Sequence, residues 1–168
     1  NIYSSERGLP GSVVLYNEDA NERLWDRNIF SQIALQMPLG EKWDVKSYLK
    51  YSYDWNRYYD RSAAYATGEE DDRYRQDEYY GSVILRYKPS EHLNFTLAQD
   101  CFENILESNI PECKFPSRFT SLTALSGQYK SPRITASATL MGLFTKESVK
   151  IGTAAENRRR LSPSFGVS

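Results

Sequence analysis

The sequence predicts an all-β chain, an antiparallel up-and-down meander that forms part of a transmembrane outer-membrane β-barrel. Three observations carry this. Apolar and polar residues alternate through seven successive stretches, and a strand points successive side chains to opposite faces. Connections between the stretches are short and long in turn, as when a barrel has tight turns at one end and long loops at the other. Tyr and Trp, 13 and 3 in 168 residues, gather toward the ends of the stretches, where a barrel carries its aromatic girdles.

Strands are expected near 27–37, 43–56, 77–88, 92–102, 118–130, 133–146 and 159–167. The first sets Ile29, Ile33, Leu35 and Met37 against Asn28, Gln32 and Gln36. The clearest is the second, with Trp43, Val45, Leu49, Tyr51, Tyr53 and Trp55 on one parity and Asp44, Lys46, Lys50, Asp54 and Asn56 on the other. Tyr79, Val83, Leu85 and Tyr87 then oppose Ser82, Arg86 and Lys88, and Leu93, Phe95 and Leu97 oppose Asn94 and Thr96. Phe119, Leu125 and Tyr129 oppose Thr120, Ser126 and Gln128; Ile134, Ala136, Ala138, Leu140 and Phe144 oppose Thr135, Ser137 and Thr139. A last, shorter stretch sets Leu161, Phe165 and Val167 against Ser162, Ser164 and Ser168. Pro38 to Lys42, Pro89 to Glu91 and Ser131 to Pro132 read as hairpin turns, rich in residues that break strands. The polar stretches Arg57 to Gln76, Glu103 to Ser117 and Glu147 to Arg158 read as the long loops, and Gly8, Pro10 and Gly11 as a tight loop.

The length suits one domain, residues 1–168, and no run approaches the ~20 apolar residues of a membrane helix. A formal net charge of −1 excludes a strongly basic nucleic-acid footprint. Seven strands are an odd number and too few for a closed bacterial barrel, and the chain opens at Asn1 without Met. It is therefore expected to be a partial barrel, with an apolar band that something else covers. An acidic substitution at Leu85 on that band is expected to be damaging, and one at Ser82 on the opposite face mild.

Several short segments resemble the mid-barrel region of TonB-dependent outer-membrane receptors of the Bacteroidetes type. They are Glu6-Arg7-Gly8-Leu9-Pro10-Gly11, Leu24-Trp25-Asp26-Arg27 ahead of a strand carrying Gln32, Asp100-Cys101-Phe102-Glu103-Asn104, Phe119-Thr120-Ser121-Leu122 and Arg160-Leu161-Ser162-Pro163. The resemblance implies a bacterial outer-membrane receptor with an N-terminal plug inside a 22-stranded barrel, driven by the inner-membrane TonB complex. The cargo it implies is a scarce solute such as a siderophore, another metal chelate or cobalamin; a surface lipoprotein is a further implied partner. No plug or TonB-contacting segment lies in these residues, so family contacts on the plug have no counterpart here.

Catalytic and metal chemistry find little support in the residues. His92, the single histidine, falls at a hairpin turn beside Glu91, a poor place to hold a nucleophile's base. Cys101 and Cys113 with a distant His92 do not make a zinc set, and Glu69-Glu70-Asp71-Asp72 reads as a solvated loop tip without the spacing of a calcium loop. No enzyme activity, cofactor or metal site is predicted. Arg158, Arg159 and Arg160, with Lys146 and Lys150 nearby, form a basic cluster that meets either lipopolysaccharide phosphates, an anionic ligand or plain solvent. Lys46, Lys50, Asp54 and Arg86 fall on the polar parity of neighbouring strands, where mixed charges would face the lumen and a plug. Cys101 at a strand top and Cys113 in the following loop are either a disulfide, as an oxidising compartment favours, or two free thiols.

Two function classes follow from the alternation. One is the wall of an importing receptor. The other is a soluble β-barrel or sandwich that turns Trp43, Leu49, Leu85, Phe95 and Leu140 inward around a small apolar molecule. The sorting of loops by end favours the first.

Overall fold

In the computed structural model, which describes residues 1–9, 21–61, 66–111 and 113–168, the chain forms one eight-stranded antiparallel sheet. The strands are β1 (Ile2–Gly8), β2 (Arg23–Leu39), β3 (Trp43–Asp60), β4 (Glu70–Ser90), β5 (Leu93–Ser108), β6 (Ser117–Lys130), β7 (Thr135–Ser148) and β8 (Arg158–Val167). Each pairs with its neighbour in sequence, in the order β1 to β8, and the sheet is open at both edges. The expected meander is thus present, with two differences. An eighth strand precedes the seven: β1 pairs with β2 from Ile2 opposite Ile29 to Gly8 opposite Arg23. Its residues, Ile-Tyr-Ser-Ser-Glu-Arg-Gly, have almost no apolar alternation, so only pairing with β2 identifies it. Gly8 ends this strand rather than shaping a loop, while Pro10 and Gly11 lie outside the described residues.

The strands are also longer than expected at the loop end. β3 continues to Asp60, which pairs with Glu70 of β4, and β5 continues to Ser108 opposite Tyr74. Glu70, Asp71 and Asp72 therefore begin β4 and are not the tip of a solvated loop. Charged and aromatic residues obscure the alternation there, yet the β3–β4 ladder persists, and beyond the end of β5 the Asn109 side chain takes over, accepting from Arg73 N at 2.7 Å and donating to Asp71 O at 2.5 Å. The turn end follows the sequence closely. Gly40, with φ +74°, turns between β2 and β3 in the left-handed region that glycine enters without a Cβ penalty. Pro38 remains within β2, and a register irregularity between Tyr87 and Ser90 absorbs Pro89 near the next turn.

Register sorts the side chains onto two faces. One carries the odd-numbered residues of β2 to β6 and β8 and the even-numbered residues of β7, and it holds every apolar stripe read from the sequence. A single row across it runs Met37, Val45, Leu85, Leu97, Leu125, Leu140, Pro163. This face is bare: Ile33 is 67% exposed, Leu49 59% and Leu125 53%, and no hydrophobic residue among those described is buried. The opposite face is polar, and the small residues Ser52, Ser82 and Thr120 are buried on it. Ser82 is only 4% exposed and lies opposite Asp100, so it is a poor site for added charge, contrary to the expectation above.

The apolar zone is bordered by aromatic pairs. At the turn end Trp43 stacks on Tyr87 at 4.2 Å between ring centroids, and toward the loop end Tyr51 meets Tyr79 at 5.1 Å. Phe95 lies over Gly127 of the next strand, where a Cβ would come within 3.3 Å of its ring.

Candidate functional site

The polar face carries interacting chemical groups along the strands from the loop end to the middle. Near the loop end, Asn28 donates to Asp54, which also accepts from Ser52 at 3.4 Å. One step toward the middle, Lys50 donates to Glu78 at 2.7 Å while its ammonium stands 5.5 Å from the Phe30 ring. Tyr80 donates to Asp100 at 3.0 Å and stacks on Phe102, and Arg118 donates to Glu147 at 2.7 Å between β6 and β7. Apart from Ser52 to Asp54 within β3, each contact joins adjacent strands, so the face is a lattice of cross-strand polar pairs.

Lys46, Lys50, Asp54 and Arg86 all lie on this face. The structure joins Lys50 and Asp54 to partners on neighbouring strands. Arg86 instead faces Asp44 in register and lines a cleft of about 320 Å³ at the turn end with Lys88 and Gln36, while Lys46 lies between Gln36 and Ile84. Among the described residues Lys46, Arg86 and Lys88 make no ion pair. The turn end thus presents uncommitted cations and the middle presents neutralised pairs. Asn28 and Asp100, named in the sequence only for parity and for a resembling segment, belong to the same lattice, as do Glu78 and Tyr80, which become informative only through their cross-strand partners.

Beyond the apolar zone, the other face carries a charged rim at the loop end of β3 to β5. Arg57 and Arg73 both hold Asp71, and Arg75 donates to Asp77 at 2.9 Å and approaches Glu107 at 3.8 Å. The guanidiniums cover aromatic rings: Arg57 stands 5.2 Å from Trp25, Arg27 5.1 Å from Trp55 and Arg75 5.5 Å from Tyr53. Asp71 is held well below the usual carboxylate range by the Arg57 hydrogen bonds first and those of Arg73 second. Asp72, on the polar face beside Glu70, is pushed the other way by burial and then by the neighbouring carboxylates.

The basic triplet does not act as one cluster. Alternation along β8 sends Arg159 to the apolar face, opposite Phe144, and Arg158 and Arg160 to the polar face, opposite Thr145 and Leu143. Cys101 and Cys113 are free thiols; Cys101 lies on the apolar face, where its sulfur accepts from Gln99 at 3.4 Å. His92 stacks on Tyr129 at 6.3 Å, with no nucleophile hydrogen-bonded to it among the described residues. No group of three or more His, Cys, Asp or Glu among those residues is placed to hold a metal ion. Comparison with protein-family models and with curated proteins finds no match to this chain.

Proposed function

We propose that this chain is a wall segment of an outer-membrane β-barrel receptor that imports a scarce solute, with its apolar face in lipid and its polar face lining the lumen. The observation that carries the reading is the slant of the apolar zone. Its outer border is marked by the first charged residue on that face: Arg27 in β2, Asp77 in β4, Glu103 in β5, Lys146 in β7 and Arg159 in β8; Arg57 in β3 lies one step higher. Followed through the register, the row of Arg159 reaches Ile33 on β2, six residues from Arg27 after six strand-to-strand steps. A slip of one residue per strand, at ~3.3 Å rise and ~4.8 Å strand spacing, corresponds to strands tilted by about 35° from the normal to that border. Strands of outer-membrane barrels tilt by roughly 35–45°. Flat water-facing sheets have no reason to slant a border in this way.

The thickness of the zone agrees. Tyr79–Tyr87, Leu93–Cys101 and Phe119–Tyr129 each span the ~9–11 residues with which a tilted strand crosses hydrocarbon. β3, β4 and β5 continue well past it on the loop side, by seven residues or more in β4 and β5 against three at most on the turn side, as an extracellular wall would. The import function rests on the sequence resemblance together with the polar lattice, whose paired charges suit the seating of a plug. A siderophore, metal chelate or cobalamin is the cargo class proposed.

Two measurements test this in the full-length protein. Single cysteines at Leu49, Val83 and Leu140 should carry fluorophores quenched by lipid-bound quenchers, and those at Gln36 and Gln128 by aqueous ones; the reverse pattern overturns the wall assignment. Deletion of the gene should abolish growth on one member of a panel of iron chelates and cobalamin, and unchanged growth on all of them overturns the cargo assignment.

A further inference from the structure

We infer that the apolar face between β6 and β8 holds a phosphate-bearing lipid of the outer leaflet, its acyl chain in a groove floored by Gly142 and its phosphate at Arg159 and Lys146. The inference rests on the membrane reading of the apolar face. A groove of about 520 Å³ lies there, its lining including Ser121, Thr123, Gly142, Phe144 and Leu161 together with both Arg159 and Arg160. It exists because Gly142 has no side chain in a row where Thr123 and Leu161 flank it; a Cβ there would meet nothing nearer than Leu161 Cδ1 at 3.9 Å. An apolar trough with a cationic mouth matches an anionic amphiphile, and the charge distribution distinguishes this end of the sheet from β3 to β5. On β3 to β5 the arginines of the same face are committed: Arg57 and Arg73 to Asp71, and Arg75 to Asp77 and Glu107. On β7 and β8, Lys146 and Arg159 make no ion pair among the described residues. The nearest carboxylate in the row of Lys146 is Glu103, across the whole width of β6, and it already accepts from Ser117 at 3.0 Å.

Supporting groups are in place around the mouth. The Phe144 ring stands 5.5 Å from the Arg159 guanidinium and keeps it over the groove. Ser121 Oγ accepts from Gln99 at 2.9 Å, which leaves its own proton to donate outward, and Thr123 donates to the same Gln99 amide. These hydroxyls interrupt the hydrocarbon-facing zone where bare lipid would favour aliphatic side chains, and a headgroup gives them a partner. Arg supplies a planar fork that pairs with two phosphate oxygens and Lys a point charge beside it.

The test uses the full-length receptor in phosphatidylcholine vesicles doped with bisphosphorylated lipid A, with the same lipid stripped of phosphate, or with inorganic phosphate added to undoped vesicles. Each cation beside an anionic lipid surface contributes about fivefold in affinity, so Arg159→Ala with Lys146→Ala should weaken phosphorylated lipid A about 30-fold. Gly142→Val, which fills the trough and leaves the charges, should weaken both lipid forms. Phosphorylated lipid A bound equally by wild type and the double variant overturns the proposal, as does equal binding of the two lipid forms to wild type. Saturable binding of inorganic phosphate alone at Arg159 overturns the lipid assignment. Recovery of wild type and variants in the outer-membrane fraction, measured in parallel, separates these outcomes from failure of the barrel reading itself: a protein that does not insert refutes both.

Discussion

Arg57 reaches diagonally from β3 to β4 and grips Asp71 through two parallel hydrogen bonds, Nε to Oδ1 at 2.6 Å and Nη2 to Oδ2 at 2.8 Å. Arg73, from the same strand as Asp71, adds a second fork at 3.2 and 2.5 Å. One carboxylate thus clamps two arginines where the ladder leaves the apolar zone. Because its pKa is depressed, Asp71 contributes stability that is complete above the ordinary carboxylate range and is lost as pH falls through its lowered value. Asp72 is raised, so its contribution has the opposite sign: it favours the folded ladder when protonated and fades as pH rises past the ordinary range.

Asp71→Asn should therefore loosen the loop end of β3 and β4. The pair is partly exposed, which limits the effect to about 1 kcal/mol, or roughly fivefold faster amide exchange at residues 57–60 and 70–73. In the wild type, NMR titration should find Asp72 protonating at higher pH than Asp71. A single common midpoint for both would contradict the clamp.

Leu85→Asp should remove the protein from the outer-membrane fraction, since it places a carboxylate in the middle of the apolar row with Val45 and Leu97. The cost at such a depth is on the order of 2 kcal/mol. Gln36→Asp is the matched control, exposed on the polar face opposite Lys46. Ser82→Asp should also be damaging, because it buries a carboxylate against Asp100. Normal insertion of the Leu85 variant with loss of the Gln36 variant would invert the faces.

Lys50 and Glu78 form a separable pair on the polar face, with side chains 32% and 30% exposed. Lys50→Glu should lower the unfolding midpoint and Glu78→Lys likewise, while the double exchange recovers most of the loss. Partial exposure bounds the coupling at about 1 kcal/mol in a double-mutant cycle. A coupling of zero would mean that the contact contributes geometry alone.

Cys101 and Cys113 should differ in reactivity. Cys101 sits in the apolar zone beside Gln99 and Ser121, whereas Cys113 lies in the connection after β5. A membrane-impermeant maleimide applied to intact cells should label Cys113 and spare Cys101, and both should react after denaturation. Labelling of neither thiol until reduction would show that a disulfide joins them.

Amino-acid order alone determined the meander, the shared face of the apolar stripes from Ile29 to Val167, and which end carries the turns. These depend on a period of two and on breakers such as Gly40 and Pro132, both local properties of the chain. β1 and the outer ends of β3, β4 and β5 were not legible, because Ser4, Arg57 and Asp72 follow no apolar alternation and are held by ladder partners distant in sequence. The site was legible to the same degree. Lys46, Lys50, Asp54 and Arg86 could be placed on a face by parity, but that Lys50 is neutralised by Glu78 and Asp54 hydrogen-bonded by Asn28 emerges only when strands pair. Arg158, Arg159 and Arg160 are contiguous in sequence and divided in space, since a strand sends neighbours to opposite sides. The slanted border, the Asp71 clamp and the groove over Gly142 were decided by the tertiary structure alone, because each is a property of register, and register is a relation between strands that no single strand contains.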